Sequence, residues 1–361
     1  MSQESQRIRP ETQKMAIQNR TYVLSWGRGV ANLDGMTDLQ VRRVRFDFAS
    51  TPVPFDWQPE RPAFAMQCNV ISFFAPGFEK LIVDATREAI PLMRRSEEVE
   101  EAEAYLRQEA QHSAAHASHV RALIRRWPEL GETRDEVVAS YDRLTKTKPL
   151  AWRLAYAAIV EATFTPYFKV FLDHEDKLFR PGDDRVASLF LWHFVEEIEH
   201  RSSALIVYNA VHPSYVYRLR ALPAVVKHMG EIISIIATGF EKHVPRDCGG
   251  DYGRLMPQGF SYSAVRNSLA AARKVNRSHR STYSGVPRRE LMSMMVGLVR
   301  SQGPRHNPQH ERLPVFAARW FAKYDDDPNV AAHWYALAAH TDDRYPREFL
   351  RYNRFRNSTS E

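Results

Sequence analysis

Cysteine is nearly missing. Only Cys68 and Cys248 occur in 361 residues, which argues against a disulfide framework. No apolar run is long and clean enough to cross a bilayer; the best candidate, Ala221 to Phe240, is broken by Lys227, His228 and Glu231. A signal pattern is also lacking, since Met1 to Thr12 is polar and contains Pro10. These absences predict a cytoplasmic protein with no membrane span. Basic residues are scattered, with no recognition-helix or zinc-finger pattern among them. The formal net charge of +7 therefore reads as solubility and attraction for an anionic substrate, not as nucleic-acid binding. What remains is an ordinary globular composition, 44% hydrophobic, long enough for one sizeable core or two modest domains.

Residues 1–62 read as an N-terminal arm. The first 35 are mostly polar, Val41 to Phe48 alternates partly and predicts a short strand, and Pro52, Pro54, Pro59 and Pro62 enforce an extended path. Helical patterning starts near Ala63, with an interruption expected at Pro76-Gly77 and a helix from Phe78 to about Met93. Further helices are predicted over 97–126, 150–172 and 185–210, the last capped by Pro181-Gly182-Asp183-Asp184. A fifth, over 219–240, would pack outside. Shorter helices are expected at 288–301, 311–325 and 328–342. The expected architecture is all-α: a four-helix bundle within 63–243, and a C-terminal helical extension over 244–361 packed on it.

The most informative segment is Trp192-His193-Phe194-Val195-Glu196-Glu197-Ile198-Glu199-His200. Spacings of four and three put His193, Glu197 and His200 on one helical stripe. Glu109-Ala110-Gln111-His112 repeats the theme. Two lone glutamates interrupt apolar helices, Glu79 after Phe73 to Phe78 and Glu161 after Ala155 to Val160. Two helices with Glu-x-x-His and two with a lone Glu match the ligand layout of a dimetal helical bundle. Four buried carboxylates would repel one another unless cations offset them, and two divalent ions cancel their charge. The expected metal ligands are Glu79, Glu109, His112, Glu161, His193, Glu197 and His200, the four glutamates being the catalytic carboxylates. His112 is assigned to one ion, and His193 with His200 to the other. Oxygen and nitrogen donors favour two iron ions, with manganese as an option and zinc for a hydrolase.

One Glu-x-x-His on so acidic a helix is weak evidence, because a core histidine with a hydrogen-bond partner is the usual alternative. Two such motifs with two lone glutamates are far more specific. Glu196 is a candidate acceptor behind a liganding histidine; a register using Glu196 with His200 ranks lower. Glu199 is expected to meet solvent or Arg201. His116 and His119 extend the His112 stripe, either behind a ligand, at a substrate entrance or in plain packing. Arg87 and Arg153 are candidate partners for buried carboxylates. Tyr105 and Tyr156 are candidate donors near the ligands, with core filling as the alternative. Phe164, Phe168, Phe190 and Phe194 read as a pocket wall or as bundle core.

Asn69 to Glu79, Glu109 to His112 and Trp192 to His200 together resemble the family of predicted metal-dependent hydrolases over roughly residues 40–240. That family is ferritin-like and similar to the diiron arylamine N-oxygenases, of which para-aminobenzoate N-oxygenase is the type. The resemblance implies a ferritin-like bundle whose ligand order is Glu79, Glu109, His112, Glu161, His193, Glu197 and His200, with His193 the additional histidine. One position departs: Phe78 separates Gly77 from Glu79, where the family commonly has Gly-Glu. The function expected first is a non-haem diiron oxygenase or oxidase. It would act on a small apolar or aromatic molecule, with O2, an external electron donor or reductase, and a homodimer as expected partners. A hydrolase using metal-activated water is the alternative. A non-enzymatic helical interaction module is the third reading.

Overall fold

The computed structural model describes residues 39–255, 282–283, 285–311 and 313–338, so most of the expected arm lies outside the described residues. Every regular element among the described residues is helical. Residues 41–48 have the alternation of a strand but no partner strand, and they run as extended coil over the helices. Phe48, Val53, Phe55 and Trp57 are buried, so the alternation records which side chains face the helices.

The helices are α1 (Pro62–Ala89), α2 (Ser96–Arg126), α3 (Leu130–Thr147), α4 (Leu150–Asp173), α5 (Glu175–Phe179), α6 (Asp184–Glu199), α7 (Ser203–Val211), α8 (Tyr215–His243), α9 (Tyr252–Leu255), α10 (Arg288–Arg300), α11 (Val315–Asp326) and α12 (Trp334–Ala338). Four of them close a ring: α1 packs on α2, α2 on α6, α6 on α4, and α4 on α1. Apolar on nearly every side, α4 also touches α7, α8 and α10. A carboxylate in its middle is therefore enclosed whichever way it points.

Three expectations need correction. First, α1 runs unbroken through Pro76 and Gly77. Pro76 forfeits one helical donor, but α1 is buried along most of its length, and tertiary packing outweighs the local cost. Gly77 has a packing role: a Cβ there would lie 2.5 Å from Cδ2 of the Tyr141 ring on α3. Gly77→Ala is therefore expected to destabilise by about 1–3 kcal/mol through overpacking, although helix propensity alone favours Ala by about 1 kcal/mol. Chemical denaturation reads the sign, and a stabilised variant would overturn this account.

Second, the expected 185–210 helix is two. The chain leaves α6 at His200 and re-enters a helix at Ser203. Arg201 donates to the Ile198 carbonyl, an acceptor that the break frees, at 2.8 Å, and to the Pro308 carbonyl at 3.0 Å. The break spares the ligand stripe, because the His200 N–H still bonds the Glu196 carbonyl at 2.9 Å. Third, α8 is long and apolar enough to cross a membrane by length and composition, contrary to the reading of Ala221 to Phe240. One face of α8, including Ala221, Val225, Ile232, Ile236 and Phe240, is buried in the fold, and the helix packs on α3, α4 and α1.

No helix was expected over α3. The short helices α10, α11 and α12 fall near the predicted 288–301, 311–325 and 328–342, with a 3-10 turn over Pro328–Ala332 in the last. α10 packs on α4, α11 on α4 and α6, and α12 on α6.

Candidate metal centre

All seven predicted ligands meet inside the four-helix ring, each at most 3% exposed. Glu79 comes from α1, Glu109 and His112 from α2, Glu161 from α4, and His193 and Glu197 from α6, with His200 at its C-cap. Glu197 sits at the middle. Its Oε1 lies 2.8 Å from His193 Nε2 and 3.5 Å from His112 Nδ1, and its Oε2 lies 3.7 Å from His200 Nε2. His200 Nε2 lies 3.1 Å from Glu109 Oε1, off the hydrogen-bonding direction, and His200 Nδ1 lies 3.7 Å from Glu161 Oε2.

One atom each from Glu109, His112, Glu197 and His200 falls within 4.8 Å of the others, as does one each from Glu79, His116 and His193. The expected pairing of His193 with His200 is thus corrected. His200 groups with His112, because the chain turns at His200, and His193 faces Glu79 across 3.5 Å. Glu161 stands beside the first group and belongs to neither.

Whether metal fits is answered by the polar atoms left over. Glu79 Oε2, both Glu109 oxygens, His112 Nδ1, Glu161 Oε1, Glu197 Oε2 and both His200 nitrogens are buried without a hydrogen-bond partner. Buried polar atoms are rarely orphaned, and eight in one place form a donor set of hard oxygen and imidazole nitrogen that fits metal ions. Burial, then repulsion from neighbouring carboxylates, pushes Glu79 and Glu161 well above the ordinary carboxyl range. Glu109 is raised too, by burial first and Glu197 second. Burial pushes Glu197 upward as well, but the attraction of His200 and the hydrogen bonds from His112 and His193 outweigh it and hold Glu197 well below that range.

The surroundings orient the ligands. His112 Nε2 meets Glu196 Oε2 at 3.0 Å, which turns Nδ1 toward the first group. This is the role the sequence offered for Glu196. Glu196 Oε1 accepts from Arg42 at 2.9 Å, and Arg42 also grips Glu199 at 2.8 and 3.0 Å. Gln108 adds a bond to Glu199 at 2.7 Å. Glu199, expected to meet solvent or Arg201, is bound to Arg42 and Gln108 and is 10% exposed. Trp320, Phe321 and Tyr324 of α11 cover the Arg42 guanidinium, with centroids 5.8, 4.8 and 5.4 Å away.

Neither expected arginine reaches the centre. Arg87 is exposed beside Asp84, and Arg153 pairs with Glu88. Tyr105 packs on His200 with centroids 5.0 Å apart, and its hydroxyl is unpartnered. Tyr156 instead bonds His228 Nδ1 at 2.9 Å. The four phenylalanines form packed core: Phe168 stacks on Phe194 at 4.0 Å, Phe164 lies 4.9 Å from Phe168, and Phe190 lies 5.7 Å from Phe194. A groove of about 2110 Å³ lined by His174, Glu290, Met292, Val296 and Phe316 touches none of the seven candidate ligands.

A family profile described as "Predicted metal-dependent hydrolase" matches residues 40–270. No curated protein and no solved structure matches the chain.

Proposed function

From its membership of the predicted metal-dependent hydrolase family, to which the matched residues assign this chain, we propose that the protein is an enzyme whose seven buried ligands hold two metal ions. The observation that carries this reading is the set of eight orphaned donor atoms inside the ring. Their desolvation without a cation would cost several kcal/mol per charge. The helix layout, with Glu-x-x-His on α2 and lone glutamates on α1 and α4, resembles that of a ferritin-like bundle and supports this reading.

Two chemistries share such a centre. Hydrolysis stands first because the family description names it. Bound ions supply Lewis acidity and a nucleophilic water near neutral pH. Oxidation with O2 is favoured by a different observation. All seven donors are carboxylate or imidazole, enclosed by packed Phe168, Phe190 and Phe194, a dry setting that suits redox iron. This second reading needs iron, O2 and an external electron donor, and takes a small apolar or aromatic substrate, as in the arylamine N-oxygenases that the ligand order resembles.

Elemental analysis of the purified chain is expected to give about two ions per molecule, the stoichiometry of a two-metal site. Anaerobic reduction of the iron-loaded protein followed by O2 then separates the readings. A transient visible band selects oxidation. A silent iron centre, with ester or phosphoester turnover by the zinc- or manganese-loaded protein, selects hydrolysis. No metal after reconstitution overturns both.

A further inference from the structure

Behind His193 runs a line of buried groups that the ligand set does not use. His193 Nδ1 lies 2.8 Å from His116 Nε2, His116 Nδ1 lies 2.9 Å from Ser72 Oγ, and Ser72 Oγ lies 2.8 Å from His119 Nδ1. All four residues are nearly or wholly inaccessible. His119 Nε2 ends the line, buried and without a partner.

The proton on each link is fixed by its neighbour. Glu197 Oε1 only accepts, so His193 Nε2, 2.8 Å away, carries a hydrogen. A neutral His193 ring with its hydrogen on Nε2 has a lone pair at Nδ1. His116 then donates from Nε2, 2.8 Å away. A neutral His116 ring that donates from Nε2 accepts the Ser72 hydroxyl hydrogen at Nδ1. With that hydrogen spent, Ser72 Oγ accepts from His119 Nδ1, and the unpartnered His119 Nε2 is bare. For neutral rings, this direction of donation satisfies every contact.

It is the wrong direction for a ligand. His193 Nε2 is the nitrogen that faces Glu79 and Glu197, and metal needs its lone pair. We propose that Ser72, His116 and His119 form a reversible hydrogen-bond chain that positions His193, and that metal capture at His193 Nε2 reverses every link. The Nε2 proton of His193 leaves. His116 gives its Nε2 proton to His193 Nδ1, Ser72 gives its hydroxyl proton to His116 Nδ1, and His119 gives its Nδ1 proton to Ser72. One proton enters at His119 Nε2. Each ring keeps a single proton, and the chain stays neutral. The entering proton arrives from the side of Asp183 and Arg185 at the start of α6, whose charges act on His119.

His112 has a different rear partner. Its Nε2 meets the carboxylate Glu196, which only accepts, so no tautomer exchange is needed behind it.

This inference rests on His193 being a ligand. The test is nitrogen NMR of the full chain with 15N-histidine, metal-free and then titrated with zinc. The expected result is coordination at His193 Nε2, with His116 changing from Nε2–H to Nδ1–H and His119 from Nδ1–H to Nε2–H. Coordination with unchanged His116 and His119 tautomers overturns the chain and leaves the ligand reading standing. No zinc-dependent change at His193 overturns the ligand reading itself. In Ser72→Ala, zinc should still shift His193, with affinity lowered about 10-fold, but His119 should no longer respond. A response that persists across the missing hydroxyl overturns the proposal. If that variant does not fold, the unaltered chain still decides.

Discussion

Replacing Arg42 by Met is expected to cost about 3–5 kcal/mol of stability, the usual consequence of stranding a buried charge. Arg42 is 2% exposed and is the cation that Glu196 and Glu199 share. Without it, Glu196 is an uncompensated carboxylate in a closed interior and no longer holds the rear nitrogen of His112. Metal affinity should then fall about 10–100-fold, the range for lost outer partners of a ligand. The double variant Arg42→Met with Glu196→Gln should recover part of the stability, since only the more exposed Glu199, still bound by Gln108, then lacks the guanidinium, but not the affinity. Chemical denaturation of these two and of Glu196→Gln alone, with a chelator competition titration, completes a double-mutant cycle. A single variant within about 0.5 kcal/mol of the parent, the range of ordinary surface changes, would show that the guanidinium does not hold the site.

Metal itself should have the other large effect. At free ion about 1,000-fold above Kd, each ion stabilises the folded chain by roughly 4 kcal/mol. The effect should also depend on pH with a definite sign. In the metal-free protein burial first of all pushes Glu79, Glu109 and Glu161 above the ordinary carboxyl value of 4.5. Folding therefore takes up protons at these groups, and their contribution, fully present below pH 4.5, is lost as pH rises through the raised values. Burial lowers His112 and His200, but the neighbouring carboxylates outweigh it and raise both, so their contribution, present below pH 6.5, is lost in the same direction. His193, lowered to about 4, works oppositely, but only as pH falls below its ordinary 6.5. Metal binding keeps the carboxylates ionised and the imidazoles unprotonated, so the gap between loaded and metal-free stability should widen as pH rises through the raised values. Calorimetry in buffers of different ionisation enthalpy should record protons released on loading. A gap that narrows with pH, or binding without proton release, would contradict the raised carboxyls.

The ligand set was legible because helical spacing is local. His193, Glu197 and His200 declare one face within eight residues, and Glu79 and Glu161 stand out against apolar neighbours. What stayed hidden depends on contacts distant in sequence. Glu196 was recognisable as an acceptor, but Arg42 lies 154 residues away and looks like one of three arginines in a polar stretch. The partition of the histidines depends on the turn at His200, which is stabilised by Arg201 reaching the Pro308 carbonyl. Pro76-Gly77 reads as a break because both residues are locally unfavourable, and only the Tyr141 ring explains the glycine. α3 escaped because its inward stripe is thin, mainly Leu130, Val137 and Tyr141 on an otherwise polar helix.

The aromatic cover over Arg42 gives the ligand sphere a birth order. Residues 79 to 200 supply every candidate ligand, and Arg42 precedes them all, yet Trp320, Phe321 and Tyr324 are made more than a hundred residues after the last of them. At roughly 5–20 residues per second, some 6–25 s of translation separate Glu196 from that cover. Through that interval a nascent chain carries its complete set of carboxylates and imidazoles with the Arg42 clamp not yet covered, and α11 covers it only afterwards.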